Sequence, residues 1–240
     1  MKLQFTLILI LLVPVAGFTQ MNSSWDIIAG VDYSNSILFA QRNTGLRNVA
    51  GVMNDSQQGK LNWRLGGNYN MRVGSNAFFK TGIRLASVGY VYANDNLTWG
   101  SEHNGMGGHT PDPDLPHSAR FSYDYWFIEI PVAFRFERGN DKFSTYFEAG
   151  VSPSIYILSR QITKIDNDKT IHFNQGNQFH QFNIIHLVGT FAWGINYNIS
   201  ERVQLFAQPT LRFHLTPIAD SPIEEYLYNV GVEMGTRWKI

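Results

Sequence analysis

The seven histidines are the residues of this chain best suited to chemistry, because imidazole both binds metals and moves protons near neutral pH. His103, His109 and His117 share one stretch with Asp112 and Asp114, and imidazole with carboxylate is a zinc-binding combination. Their spacing matches no metal-ligand pattern, and the glycines and prolines between them read as a loop. His172 and His180 lie in a second polar stretch and are discounted in the same way. A hydrolase needs a nucleophile beside a base that is itself oriented by an acid. The chain has no G-x-S-x-G element, and no Ser–His–acid set can be assembled around His186 or His214. Gly105, Gly107 and Gly108 form a loop tip rather than a phosphate cradle. No catalytic residue, metal ligand or cofactor is therefore expected, and the chain reads as a non-enzyme.

What remains is a pattern of faces. From Tyr226 to Ile240 the chain alternates almost without a break. Tyr226, Tyr228, Val230, Val232, Met234, Thr236, Trp238 and Ile240 fall on one side, and Leu227, Asn229, Gly231, Glu233, Gly235, Arg237 and Lys239 on the other. Strand side chains point to opposite faces with period two, so this is one long strand with an apolar and a charged face. Eight such segments recur, at Trp25–Ser34, Leu61–Val73, Ala77–Ala93, Phe121–Glu137, Phe143–Leu158, Asn183–Asn198, Val203–Leu215 and Tyr226–Ile240. Short turns join some of them, at Gly74–Asn76, Arg138–Asp141 and Ile199–Arg202. Long polar stretches join others, at Asn35–Lys60, Asn94–Ala119 and Arg160–Phe182, with a shorter one at Pro217–Glu225. Short turns at one end and long loops at the other are the layout of an outer-membrane barrel.

The composition agrees. The chain has 240 residues, no cysteine and zero formal net charge, with 14% aromatic and 16% charged residues. Neutrality argues against a nucleic-acid partner, which calls for a concentrated basic patch. The lack of cysteine removes disulfides and thiolate metal sites. Residues 1–20 read as a signal peptide: Lys2, then the apolar run Leu7–Val15, then small residues at Val15, Ala16 and Gly17. That run is shorter than the about 20 apolar residues of a membrane-spanning helix. The signal peptide predicts export, and residues 21–240 make up a single barrel domain placed in the cell outer membrane.

Charge decides which face meets lipid. Asp26, Asp32, Arg64, Arg72, Lys80, Arg84, Glu129, Arg135, Glu137, Glu148, Arg212, Glu233, Arg237 and Lys239 share the polar faces. Each Arg or Lys turned toward mid-membrane would cost about 2–4 kcal/mol. The apolar faces must therefore point outward and the charged faces inward, the reverse of a soluble barrel. Aromatics near strand ends form two girdles: Trp25, Phe79, Phe136, Phe143, Tyr197 and Trp238 at the short-turn end, and Tyr33, Trp63, Trp126, Tyr226 and Tyr228 at the other. An eight-stranded barrel is just wide enough for its side chains to fill it. Arg64, Arg84, Glu129, Glu148 and Glu233, near mid-strand, are expected to form a salt-bridged structural plug.

Three short motifs carry a resemblance. Tyr125-Trp126-Phe127-Ile128-Glu129-Ile130-Pro131-Val132 resembles the "YLEIPL" stretch of the outer-membrane β-barrels labelled porin-family or PorT-like. Phe147–Ser154 resembles the glycine-containing strand that follows it there, and Asn229–Trp238 resembles the closing "NxGLxxGxRF" strand. The resemblance implies an outer-membrane barrel and implies nothing about a pore. The expectation is an all-β, eight-stranded antiparallel transmembrane barrel. It would sit in outer-membrane lipid and lipopolysaccharide and hold long loops out for structural or interaction roles, meeting a protein partner through Phe39, Trp99 and Phe173. The alternatives are a narrow porin-like channel for small solutes and a membrane-embedded enzyme acting on lipid or peptide.

Overall fold

The computed structural model describes residues 23–40, 44–95, 102–103, 109–110, 116–166, 169–175 and 182–240. The proposed signal peptide lies outside them. The elements in order are β1 (Ser23–Ala40), α1 (Thr44–Asp55), β2 (Gln57–Arg72), β3 (Ala77–Asn94), β4 (Glu102–His103), β5 (His109–Thr110), β6 (Ala119–Glu129), β7 (Val132–Gly139), β8 (Phe143–Ile165), β9 (Lys169–Gln175), β10 (Ile185–Asn198), β11 (Val203–His214) and β12 (Ile223–Lys239). β1 pairs with both β2 and β12, and β8 pairs with β10, so the sheet closes on itself. β6 and β7 lie end to end between β3 and β8 and act as one strand. Counted so, the ring has eight strands, all antiparallel, in a transmembrane barrel.

The expected strand Phe121–Glu137 is thus interrupted, and the break falls at Ile130-Pro131. Proline has no N–H to give a neighbouring strand, so it is tolerated only where the ladder is already irregular. The Ile130 amide reaches the Pro153 carbonyl at 2.9 Å and keeps the two halves aligned.

The faces are inside out, as the alternation requires. Ile83 is 67% exposed, Trp193 66%, Ile27 63% and Met234 60%, whereas Arg64, Lys80 and Glu233 are 0% exposed. The apolar belt on β1 runs from Trp25 to Tyr33, matching the about 9–11 residues a tilted strand needs to cross hydrocarbon. Aromatic pairs mark its borders: Trp25 with Tyr69 (4.9 Å between centroids), Phe79 with Phe134 (5.6 Å) and Phe143 with Tyr197 (5.0 Å) at the short-turn end, and Trp63 with Trp126 (5.9 Å) opposite. Asn140 closes one short turn by accepting from the amides of Lys142 (3.1 Å) and Phe143 (2.8 Å).

The strands are longer than their apolar runs. β1 continues to Ala40 against the start of β12, β8 continues to Ile165, and β9 pairs with the end of β8. The stretches 35–60 and 160–182, expected as irregular loops, therefore carry strand and helix above the belt. There the inward positions, Ser34, Ser36 and Leu38 on β1 and Ser159 and Thr163 on β8, stay buried, but most are small hydroxyl residues, so the apolar–polar contrast fades in the sequence although backbone pairing persists. Helix α1 packs Ala50, 4% exposed, against the wall, and the Asn54 side chain bonds both backbone groups of Leu38 at 2.9 and 3.1 Å. No helix among the described residues is long and apolar enough to cross a membrane.

A clasp holds this upper rim. Asp166, with φ 45°, accepts from the amides of Ser118 (2.7 Å) and His117 (2.9 Å) and from the Ser118 hydroxyl (3.1 Å). These bonds, the Ser118 amide first, hold its carboxyl below the usual carboxylate range. A depressed value means the clasp is fully made above the ordinary aspartate value of about 3.9 and is lost as pH falls through the lower folded value. The Ser118 amide proton shift is expected to titrate with a midpoint below that value in an NMR pH series, and Asp166→Asn to abolish the titration.

Candidate functional site: the filled lumen

The inward face of the ring makes one connected network. At the short-turn end, Arg237 grips Asp26 with Nε at 2.7 Å and Nη2 at 3.2 Å, and donates through Nη1 to Gln204 at 2.9 Å. Deeper in, Glu148 accepts from Lys80 at 2.5 Å and from Arg135 at 3.0 Å. The Arg135 guanidinium lies 4.4 Å over the Tyr146 ring, a cation–π contact. Tyr146 donates to Gln208 (2.8 Å), and Gln208 donates to Glu233 (2.6 Å). Glu233 also accepts from Arg64 Nε at 3.0 Å, with Arg84 Nη1 at 3.5 Å. Arg64 uses its remaining donors on Asp32 (2.8 Å) and Thr210 (2.7 Å). Arg212 pairs with Glu129 and lies 3.9 Å from Asp32.

Two glycines make room for this packing. Gly194 lies flat beneath the Tyr146 ring, and a Cβ on Gly30 would sit 2.9 Å from Arg64 Nε. Each glycine is the register partner of the large residue, and a long side chain lies across the neighbouring strand only where that strand is bare.

The structure brings three of the expected plug residues, Arg64, Arg84 and Glu233, into direct contact. Glu148 and Glu129 belong to neighbouring groups around Lys80 with Arg135 and around Arg212. All five are at most 2% exposed. Asp26 and Asp32 link the groups, and so do the neutral side chains Tyr146 and Gln208, which a search for charges alone passes over.

Above the ion pairs, the lumen changes character. Val88, Tyr90, Tyr125, Phe127, Tyr156, Ile218 and Leu227 form a buried apolar layer across the barrel, with Tyr123 and Phe182 packed against it. Phe127, Tyr156 and Leu227 have inward parity in the sequence, so that much of the layer was readable. Ile218 and Phe182 come from connections, where parity gives no signal. His186 and His214 sit just below, each 1% exposed, with ring centroids 5.9 Å apart and each 5.3 Å from Phe127. At the short-turn end the barrel opens into a polar vestibule of about 840 Å³ lined by Arg72, Glu137, Arg138, Asp141, Arg202 and Arg237.

The upper connections hold fewer of the expected residues. Trp99, Asp112, Asp114 and His180 lie outside the described residues, as do the side chains of His103, His109 and Phe173. His103 and His109 are backbone register partners in the β4–β5 pairing. His117 and His172 are exposed, and Phe39, 53% exposed, packs edge-on against Tyr226 at 5.7 Å. Among the described residues no three His, Asp or Glu side chains gather as a metal site would require.

No family model matches the chain, and no curated protein does. Among solved structures it is similar to the outer membrane protease OmpT from Escherichia coli, at 9% identity over 94% of this chain and 99% of that one, with a TM-score of 0.46. It is also similar to Neisserial surface protein A, at 8% identity over 90% of this chain and 97% of that one, with a TM-score of 0.45. A further likeness is to OprG from Pseudomonas aeruginosa, at 11% identity over 92% of this chain and 96% of that one, with a TM-score of 0.42.

Proposed function

We propose that this protein is a non-enzymatic outer-membrane barrel with a side-chain-filled lumen, and that it holds its long connections outside the cell for structural or interaction roles. The observation that carries this reading is the network running from Arg237 to Arg212, which occupies the bore with mutually paired charges. A conducting pore of this width would need those groups turned toward water. His186 and His214, the bases a rim hydrolase would use, lie beneath an apolar layer and out of reach of a substrate. The proposed signal peptide at residues 1–20, the PorT-like motifs and the exposed apolar belt support placement in outer-membrane lipid beside lipopolysaccharide. The proposed contact surface for a protein partner is the rim around Phe39 and the connections above β3 and β8.

Single-channel recording of the mature protein in a planar bilayer tests the reading. No steady conductance at neutral pH is expected. A reproducible, ion-selective conductance would replace it with the narrow-channel reading and make the lumen charges a selectivity filter. A variant lacking residues 98–116 is expected to refold and keep the heat-modifiable gel mobility of the parent, since that segment falls between β3 and β6 and supplies no strand of the ring. Loss of assembly would show that the segment serves the fold instead.

A further inference from the structure

The inner wall above the ion-pair network carries a second grouping, which the plug does not use. Its aromatic side chains share one face, because they are register partners: Tyr90 with Tyr123 and Tyr92 with Phe121 across β3 and β6. The ring centroids of Tyr90 and Tyr123 are 5.1 Å apart, and those of Tyr92 and Phe121 6.2 Å. Tyr90 and Tyr125 belong to the buried apolar layer, whereas Tyr92, Phe121 and Tyr123 are half-buried. The layer is thus the floor of an aromatic cup whose rings lose cover toward the strand tops.

One carboxyl belongs to this cup. Glu225 pairs in register with Leu38 on β1, above the belt that ends at Tyr33, and has the same parity on β12 as the buried Leu227 and Asn229. It accepts from the Tyr90 hydroxyl and lies beside the Ser36 hydroxyl, and Tyr123 and Tyr125 are near enough to feel its charge. Its Oε1 is buried and has no hydrogen-bond partner. The other carboxylates buried on the inner wall, Asp26, Asp32, Glu129, Glu148 and Glu233, each meet an arginine or lysine. Among the described residues no cation pairs with Glu225: Lys60 and Arg160, at the height of Tyr123 and Tyr125, are both engaged by Asp124. Burial without a counter-charge pushes the Glu225 carboxyl up to about 7. Ionised, Oε1 lacks a donor; carrying a proton, it lacks an acceptor. Buried polar atoms are nearly always paired, so an unpaired carboxyl oxygen beside phenol rings calls for a partner from outside the chain.

We propose that this cup binds a ligand through a primary ammonium group, which donates an N–H to Glu225 Oε1 and sets its charge among the rings of Tyr90, Tyr123 and Tyr125. A primary ammonium brings three donors and a full charge to a carboxylate. The rings offer electron-rich faces to the same charge and apolar surface to the stem behind it. A metal ion would need further carboxylates or imidazoles, and among the described residues no group of three forms. On the orientation proposed above, the ligand comes from outside the cell.

The test is a titration of the refolded full-length mature barrel, in detergent micelles, with n-propylammonium chloride. It is run at about pH 7.5, above the value of the free carboxyl, and followed by the amide NMR shifts of Tyr90, Tyr123 and Glu225. A saturable shift at these amides is expected. In Glu225→Gln the dissociation constant is expected to rise about tenfold or more, since one charge-assisted hydrogen bond is lost. n-Propanol, with the same stem and no charge, and sodium chloride at equal ionic strength are expected to give no saturable shift there. The proposal is overturned if propylammonium gives no saturable shift, if Glu225→Gln binds it as tightly as the parent, or if propanol matches it. Should Glu225→Gln fail to refold, the comparison with propanol decides alone. Conductance at neutral pH would sink the closed-lumen reading without touching this result, which is read at Glu225.

Discussion

Replacing Glu233 with glutamine is expected to lower barrel stability by about 3–5 kcal/mol, the usual cost of removing one partner of a buried ion pair. Glu233 is the carboxylate that Arg84 meets among the described residues, and it is one of two that Arg64 meets. The substitution keeps volume and an acceptor oxygen for Gln208 but removes the charge. Arg84, 2% exposed, would then keep only the 3.2 Å bond to Asn68. A buried cation left in that state either draws in water or unfolds the wall around it. The measurement is urea unfolding of the refolded protein in detergent micelles, followed by heat-modifiable gel mobility. The double variant Arg84→Met/Glu233→Gln removes the stranded charge as well and is expected to recover most of the loss. A loss below about 1 kcal/mol in the single variant would mean that the pair is already solvated, as it would be in a water-filled bore.

That test bears on how much of the site the sequence made legible. Period-two alternation assigned inward or outward direction to nearly every residue of the belt, because the contrast between lipid and lumen leaves little tolerance for error. Arg64, Arg84 and Glu233 could be placed at similar depth by counting from strand ends, and they do meet. Glu129 is the register neighbour of Arg84 on the adjacent strand, yet it pairs with Arg212, and Glu148 pairs with Lys80 and Arg135. Which inward charge meets which depends on strand stagger, and stagger is set by the closure of the ring as a whole.

Where the contrast of environments ends, legibility ends too. Helix α1 has Gly45 and Gly51, no acidic residue in its first turn and no basic residue in its last, so neither capping nor propensity announces it. Its position is decided by Ala50 and Asn54 docking on the wall. The upper parts of β1 and β8 show weak alternation because their buried positions are mostly small hydroxyl residues, Ser34, Ser36, Ser159 and Thr163. Phe182 and Ile218, which complete the apolar layer, lie in connections and could not be assigned inward from sequence. Pro131 could have been read as a break, since a proline in a strand pattern argues against an unbroken ladder.

The second large effect addresses the solvent itself. Met234 sits at mid-belt on β12, 60% exposed, facing outward between Ala29 and Ala207 on the flanking strands. In lipid, Met234→Arg is expected to cost about 2–4 kcal/mol, since an arginine at the bilayer midplane must snorkel or thin the membrane to reach water. On a water-facing surface the same change would fall within about 0.5 kcal/mol of zero. Ser75→Arg, in an exposed short turn beyond the belt, serves as the matched control and is expected to be near neutral. The two variants are compared by reversible unfolding in lipid vesicles and again in detergent. A difference between them of about 2 kcal/mol or more identifies the apolar belt as the lipid contact. Equal stabilities would mean that water or another protein covers the belt, and the inside-out arrangement of charge would then need a different cause. The same logic fixes depth: moving the arginine along β12 from Met234 to Val232, Val230 and Tyr228 is expected to trace a cost that falls toward the aromatic border, because only a hydrocarbon slab gives a penalty that depends on height rather than on local packing.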